Sequence, residues 1–572
     1  MKSISYGLTF LILSFSLNLA AQDWSQEASL PGIPECENHN GHRICLTAEN
    51  RRNIYERSPE ELDQYIQEGS KHVMSYPVDV TEMQMPYESM KKFFEEDTNS
   101  PLKKFFYKIA KSISRFDSLE TTFKWLGLHD YPKTEEELGP NFIPNMGNLE
   151  ENPMGVTVLD NPNHSKGLTV SCAACHSADL FGVKVIGLTN RFPRANEFFI
   201  LGQKVLKNTP SFAFRALFKA DAKEMELFKN SKNAIKSIGL KKPLVLGLDT
   251  SLAQVGLSLE KRNNDEYATR KSVESLSPHK SGLAKDPADS KPAVWWNVKY
   301  KTRWLSDGSI ISGNPIHTNF LWNEIGRGVD LKKLETWMLD NQDKIDELTS
   351  YVFSTKAPKY NDFFPKKINI AKAQRGQKHF LKTCSGCHGK YDKGWDNQAQ
   401  TYEQKIATTK VWYHKKTPVI DIGTDPYRYE GMKYFAENLN QLKISKTIGT
   451  VVQKQKGYVP PPLVGIWARW PYFHNNSAPT LFDVITPDFK RPKTYIAVES
   501  KNKNLDFDPL KNGYPAPSLI REPFKSDTDY FYNTKIKGLS NQGHTSMLVD
   551  DNNKEILSKT EKLELIEFLK TL

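Results

Sequence analysis

Cysteine is scarce: six residues among 572. That is too few for a disulfide-stapled scaffold, and a chain of this length buries a core without staples. Long apolar runs are missing beyond the N-terminus, and a mean hydropathy of −0.57 excludes a multi-span membrane protein. Strand-type alternation is weak throughout. An excess of acid is absent too; the formal charge is +11, carried by lysines spread through polar segments that act as solvated faces. At roughly 100–200 residues per domain, the length predicts three or four structural units.

What is present begins with an address. Lys2 precedes an apolar run from Leu8 to Leu19, and Ala20-Ala21 leads into Gln22-Asp23. A basic start, about a dozen apolar residues and small residues at the exit predict a cleaved secretory signal peptide over 1–21. The run falls short of the roughly 20 residues that cross a bilayer, so no stable membrane insertion is expected. The destination is periplasmic or secreted, where cysteines pair or take a covalent cofactor.

The cysteines sort into three pairs. Cys172-Ala-Ala-Cys175-His176 and Cys384-Ser-Gly-Cys387-His388 are two complete C-x-x-C-H pentapeptides. This is the attachment signature of c-type haem: two thiols add across the porphyrin vinyl groups and the histidine supplies a proximal imidazole. Two covalent haem c groups are therefore expected, ligated by His176 and His388. Cys36 and Cys45 enclose eight residues and predict a structural disulfide, with His39 and His42 as ordinary loop histidines.

Helical spacing dominates the rest. It marks Tyr87 to Phe94, Leu102 to Ala110, residues 193–240, one long helix from Leu331 to Phe353, and Ala371 to Leu381 running into Cys384. Ser558-x-x-Glu561 is a capping box opening a final helix with Leu563, Ile566 and Leu569 on one stripe. Gly139 to Pro162 is expected to be a loop, 262–292 a polar surface insertion, and 356–365 the domain boundary. The predicted class is mainly α: two cytochrome c-like haem domains with long loops and an N-terminal extension. The extension would cover 22–140, the first haem domain 141–355 with insertions, and the second 356–572. The two haem histidines stand 212 residues apart, too far for tandem minimal cytochromes.

The sixth ligand separates carrier from catalyst, since a closed iron transfers electrons and an open one admits oxygen or peroxide. His544, in Gly538-Leu-Ser-Asn-Gln-Gly-His544, and His474, in Trp470-Pro-Tyr-Phe-His474, share that expectation for the second haem, with Met547 and Met432 behind them.

Pro462-Leu-Val-Gly-Ile-Trp-Ala-Arg-Trp-Pro-Tyr-Phe-His-Asn-Asn-Ser-Ala-Pro-Thr-Leu481, Leu539-Ser-Asn-Gln-Gly-His544 and Ala371-x-x-x-Arg375-Gly376 before Cys384 resemble the diheme cytochrome c peroxidase superfamily. More narrowly they resemble its large branch containing the rubber oxygenases. The resemblance is strongest over about 350–572 and around Cys172. It implies that His544 is the distal ligand of the C-terminal haem and that His474 is a structural or haem-pocket residue. It also implies an N-terminal haem whose sixth position is open or weakly held. A tryptophan bridges the haems in that family; Arg303-Trp304-Leu-Ser-Asp307-Gly308 is the nearest match, two residues longer between Trp and Asp, with Trp296 as competitor. In Asn314-Pro-Ile-His-Thr-Asn-Phe-Leu-Trp-Asn-Glu324, Phe320 would shape a gas-binding pocket, Glu324 would serve as acid–base group, and His317 could instead close the iron. The resemblance would also permit a calcium ion between the domains.

The expected function is a periplasmic, peroxidase-like diheme oxidoreductase. It would activate peroxide or dioxygen at the N-terminal haem, with electrons relayed from the C-terminal haem. The alternative is a non-catalytic electron-transfer cytochrome with both irons six-coordinate. Expected partners are a small redox carrier protein, steered by the basic surface, and a small-molecule oxidant; nucleic acid is not expected.

Overall fold

Ser58 opens the first described helix, Pro59–Ser75: its hydroxyl accepts from the Glu61 amide at 3.2 Å, and the Glu61 carboxylate accepts from the Ser58 amide at 3.0 Å. In the computed structural model, the described residues are 57–95, 116–147 and 152–572, apart from 104 and 108 as isolated helical positions and small gaps at 164, 279–280, 312–313, 398, 400 and 415. Three short N-terminal strands, Trp24–Ser25, Glu37–His39 and His42–Ile44, are also described. The signal peptide, both cysteines of the Cys36/Cys45 pair and, apart from the helical positions 104 and 108, the helix expected from Leu102 to Ala110 lie outside the described residues.

Two helix pairs set the frame. Pro59–Ser75 packs on Gln342–Ser354, and Ile370–Thr383 packs on the closing helix Lys559–Leu569. Each crossing is made at a glycine. A Cβ on Gly69 would meet the Glu347 carbonyl oxygen at 2.0 Å, and one on Gly376 would meet the Glu564 carbonyl oxygen at 2.0 Å. The expected capping box is present: the Ser558 amide donates to Glu561 at 2.7 Å, and the Ser558 hydroxyl accepts from the Glu561 amide at 3.3 Å.

The fold is mainly helical with small sheets, and three local expectations are corrected. The long helix expected from Leu331 to Phe353 is two, Leu331–Asp340 and Gln342–Ser354, turning at Asn341, whose φ, ψ of −120°, 36° leaves the helical region. The stretch expected to be a loop before Cys172 holds strand Val156–Asp160, paired antiparallel with Lys166–Val170. The polar segment 262–292 is no mere surface insertion: Arg262, Leu283, Ala288 and Asp289 are buried. The Arg262 guanidinium donates to the Val329 and Ile325 carbonyls at 3.1 and 3.0 Å.

Two large apolar cores form, and the chain passes between them. The first joins Val73 through Phe353 with Met432 through Val452; the second joins Ala178 through Leu188, Val294 and Trp296 with residues from Tyr360 to Leu572. No described helix is long and apolar enough to cross a membrane.

Candidate haem sites on a shared cavity

The two C-x-x-C-H segments are framed differently. The first is a single helical turn, Ala173–His176, between the hairpins Val156–Asp160/Lys166–Val170 and Ser177–Leu180/Val183–Ile186. Gly155, at φ 101°, lets the backbone approach; a Cβ there would lie 2.5 Å from Ala174 Cα. The second follows the helix Ile370–Thr383 directly and leads into strand Lys390–Lys393, paired with Thr408–His414. The four thiols are free of disulfides, as thioether chemistry requires.

His176 and His388 line one cavity of about 460 Å³, within the range of ligand pockets. On its second side, His388 and His544 face each other with ring centroids 6.4 Å apart and planes 10° from parallel. Two imidazole–metal bonds of roughly 2 Å each, with the ring half-widths added, require about this separation. The Nδ1 of His388 lies 2.8 Å from the Pro461 carbonyl oxygen; donating there leaves Nε2 as the metal-binding nitrogen, the usual outer support of a histidine ligand. His544 sits in the left-handed region at φ 62°, and Phe473 stacks on it at 5.5 Å. Cys384, Cys387, Phe380, Leu481, Leu565 and Leu569 complete an apolar wall. Burial lowers the pKa of all three histidines: His388 downward, His176 to about 4, and His544 to about 3 with His388 and Arg491 adding repulsion. The imidazoles are therefore neutral near pH 7, the form a metal takes. These residues fit a porphyrin iron held between His388 and His544.

Across the cavity, Trp295 backs His176 at 5.1 Å and 33°. Among the described residues, the other histidines and methionines on the wall are His388, His544, His474 and Met547. His474 stacks on Tyr458 at 4.0 Å and its Nε2 lies 3.0 Å from the Tyr458 hydroxyl. Burial, then Arg428, pushes its pKa to about 3.

The remaining expected residues divide. Trp304 lines the cavity, whereas Trp296 lies behind it, with its Nε1 donating to the Val464 carbonyl at 2.9 Å. Phe320, Glu324, His317 and Met432 do not line it. The helix Pro315–Gly326 turns Pro315, Ile316, Asn319, Trp322 and Asn323 to the cavity, so the opposite face carries Phe320 and Glu324 into the core. Phe320 meets Tyr76 and Trp337 edge-on at 5.9 and 5.6 Å. Glu324 accepts from the Tyr76 hydroxyl and faces Arg327 at 3.7 Å. Burial raises its pKa, with Arg327 opposing. His317 faces Gln342 at 3.3 Å. Sequence reasoning missed Trp295, Arg469, Lys301 and Lys291 as wall residues. Only the doublet Trp295-Trp296 carried a signal, and it named the other member. Among the described residues, no group of three His, Cys, Asp or Glu is placed to hold a metal ion.

Residues 457–496 match a family model described as RoxA-like, cytochrome c-like. That stretch supplies Tyr458, Pro461, Arg469, Phe473 and His474 to the cavity region. The chain is also similar to two uncharacterized proteins of Sinorhizobium fredii. It is 31% identical to y4iJ over 169 residues, 29% of this chain and 23% of that protein. It is 33% identical to y4iM over 126 residues, 20% of this chain and 27% of that protein. The chain thus spans about a quarter of the length of these relatives. The match over 457–496 supports a RoxA-like, cytochrome c-like domain, and with it haem c as the cofactor.

Proposed function

We propose that the protein is a periplasmic or secreted diheme c-type cytochrome oxidoreductase of peroxidase-like or oxygenase-like type. The observation that carries this reading is the asymmetry of the shared cavity. His388 has the parallel imidazole of His544 opposite it, a closed set suited to holding electrons. His176 has Trp295 behind it, and among the described residues no second imidazole stands against it as His544 does against His388, which favours access by a small oxidant. Bound haem supplies the one-electron chemistry and the activation of peroxide or dioxygen.

The chain's own contributions are ligation, orientation and a dry wall. Cys172 and Cys175 anchor the first group and Cys384 and Cys387 the second. The Pro461 carbonyl fixes the tautomer of His388. Trp304 lines the cavity, which supports its assignment as the aromatic bridge for electron passage. Neither Phe320 nor Glu324 reaches the wall; the face that does bears Asn319, Trp322 and Asn323, which shape the pocket and offer hydrogen bonds without a titratable group. A small redox carrier protein is the proposed electron partner.

The test is spectroscopic, on the full-length purified protein. Haem quantification is expected to give two covalent haems per chain, one low-spin six-coordinate and one that binds cyanide. Two haems that stay six-coordinate in both redox states and refuse cyanide would support an electron carrier and sink the catalytic reading.

A further inference from the structure

Three cations stand on the cavity wall without a counter-charge. Arg469 and Lys301 make no side-chain hydrogen bond or ion pair among the described residues, and Arg469 Nε is buried without an acceptor. The Lys291 ammonium donates only to the backbone carbonyls of Arg469 and Pro471. Among the described residues, no carboxylate acts appreciably on any of them. Beyond burial, Lys301 feels Arg469, Lys291 feels Arg469 and Arg191, and Arg469 feels the Tyr472 phenol. Unpaired and desolvated, such groups drift toward neutrality: Lys301 is pushed down to about 7, Arg469 to about 10, and Lys291 well below the usual lysine range. A protein retains cations in such a place when an anion completes them.

All three line the cavity that both haem-motif histidines, His176 and His388, also line. Lys291 is two residues from Ala293, whose backbone faces His176. Arg469 belongs to the segment whose Pro461 carbonyl supports His388. Lys301 lies three residues before Trp304 and is close enough to Arg469 to be repelled by it.

We infer that Arg469, Lys301 and Lys291 form a carboxylate-binding bridge that holds porphyrin propionates from both haems, so that one group of cations tunes both redox centres together. The inference rests on the diheme reading. Guanidinium and ammonium groups are matched to carboxylates by charge and hydrogen bonding. A free carboxylate ligand has the same chemistry, and the experiment separates the two sources.

Spectroelectrochemical titration of the holoprotein would compare wild type with Arg469→Gln, Arg469→Lys and Lys301→Gln. Wild type is first assayed for haem; fewer than two per chain refutes the diheme reading itself. With two present, Arg469→Gln and Lys301→Gln are expected to lower both midpoints, because losing a nearby positive charge favours the ferric state. The shift should be on the order of tenfold in each reduction equilibrium, about 59 mV per one-electron couple, and Arg469→Lys should recover most of it. Unchanged midpoints, or a shift confined to one haem, would overturn the shared bridge. If acetate shifts the wild-type midpoints and Arg469→Gln abolishes that response, a free carboxylate fills the bridge and the propionate assignment falls; indifference to acetate supports it. Should Arg469→Gln fail to fold, Lys301→Gln reads the same shift from a separate, half-buried position.

Discussion

At the scale of single residues, the histidines show how little spacing alone decides. His474 and His544 were equal on chemistry, each in a turn-rich loop. The structure pairs His474 with the Tyr458 hydroxyl and stands His544 parallel to His388. His544→Ala is therefore expected to convert the second haem from low-spin to high-spin while the first keeps its spectrum; an unaltered spectrum would remove His544 from the ligand set. Glu324 offers the converse test. Its hydrogen bond from Tyr76 and its approach to Arg327 at 3.7 Å are buried, so Glu324→Gln should cost about 3 kcal/mol of stability in denaturant titration by leaving a guanidinium unpaired. The spectrum of the first haem should stay as it was. A changed spectrum with unchanged stability would return Glu324 to the reaction site.

At the scale of elements, the terminal helix was legible to the residue. Ser558 and Glu561 cap it reciprocally, and its apolar stripe packs inward. Capping is local chemistry, and local chemistry survives in sequence. The break at Asn341 was not legible, because Leu334, Trp337, Met338, Ile345 and Leu348 keep one periodicity across two helices. Nor was the useful face of Pro315–Gly326. Both its faces are apolar enough to be buried, and only the packing partner decides which meets the cavity. The glycine at each helix crossing is likewise decided by contact. Gly376→Ala would set a Cβ 2.0 Å from the Glu564 carbonyl oxygen; a loss of about 1–3 kcal/mol is expected from overpacking. A melting temperature equal to wild type would show that the helices separate at no cost.

At the scale of the whole molecule, the two cores interleave along the chain, and one cavity serves both candidate haem sites. That arrangement buries histidines in neutral form beyond the ligands themselves. His317 is pushed to about 4 and His474 to about 3, each chiefly by burial. Their folded pKa values lie below the unfolded value of about 6.5, so protonation favours the unfolded chain. Their stability contribution is complete above pH 6.5 and is lost progressively below it, at up to about 1.4 kcal/mol per pH unit per group. Thermal melts from pH 8 to pH 5 should show a falling midpoint, and His317→Gln should flatten the fall by its own share. A slope identical to wild type in that variant would mean that His317 already titrates normally in the fold.

By itself the sequence determined the chemistry that is contiguous: two Cys-x-x-Cys-His segments, the helices beside the second of them, the cap of the last helix, and an N-terminal run with the form of an export signal. Each depends on neighbours within a few residues, where bond lengths and helical pitch leave few alternatives. The tertiary structure decided everything that depends on approach from far along the chain. It set His544 against His388 across 156 positions, and chose Trp304 over Trp296 for the cavity wall. It also turned Glu324 away and gathered Lys291, Lys301 and Arg469 on one cavity wall, where among the described residues no carboxylate pairs with them. Such meetings are fixed by packing between distant segments, and no local pattern records them.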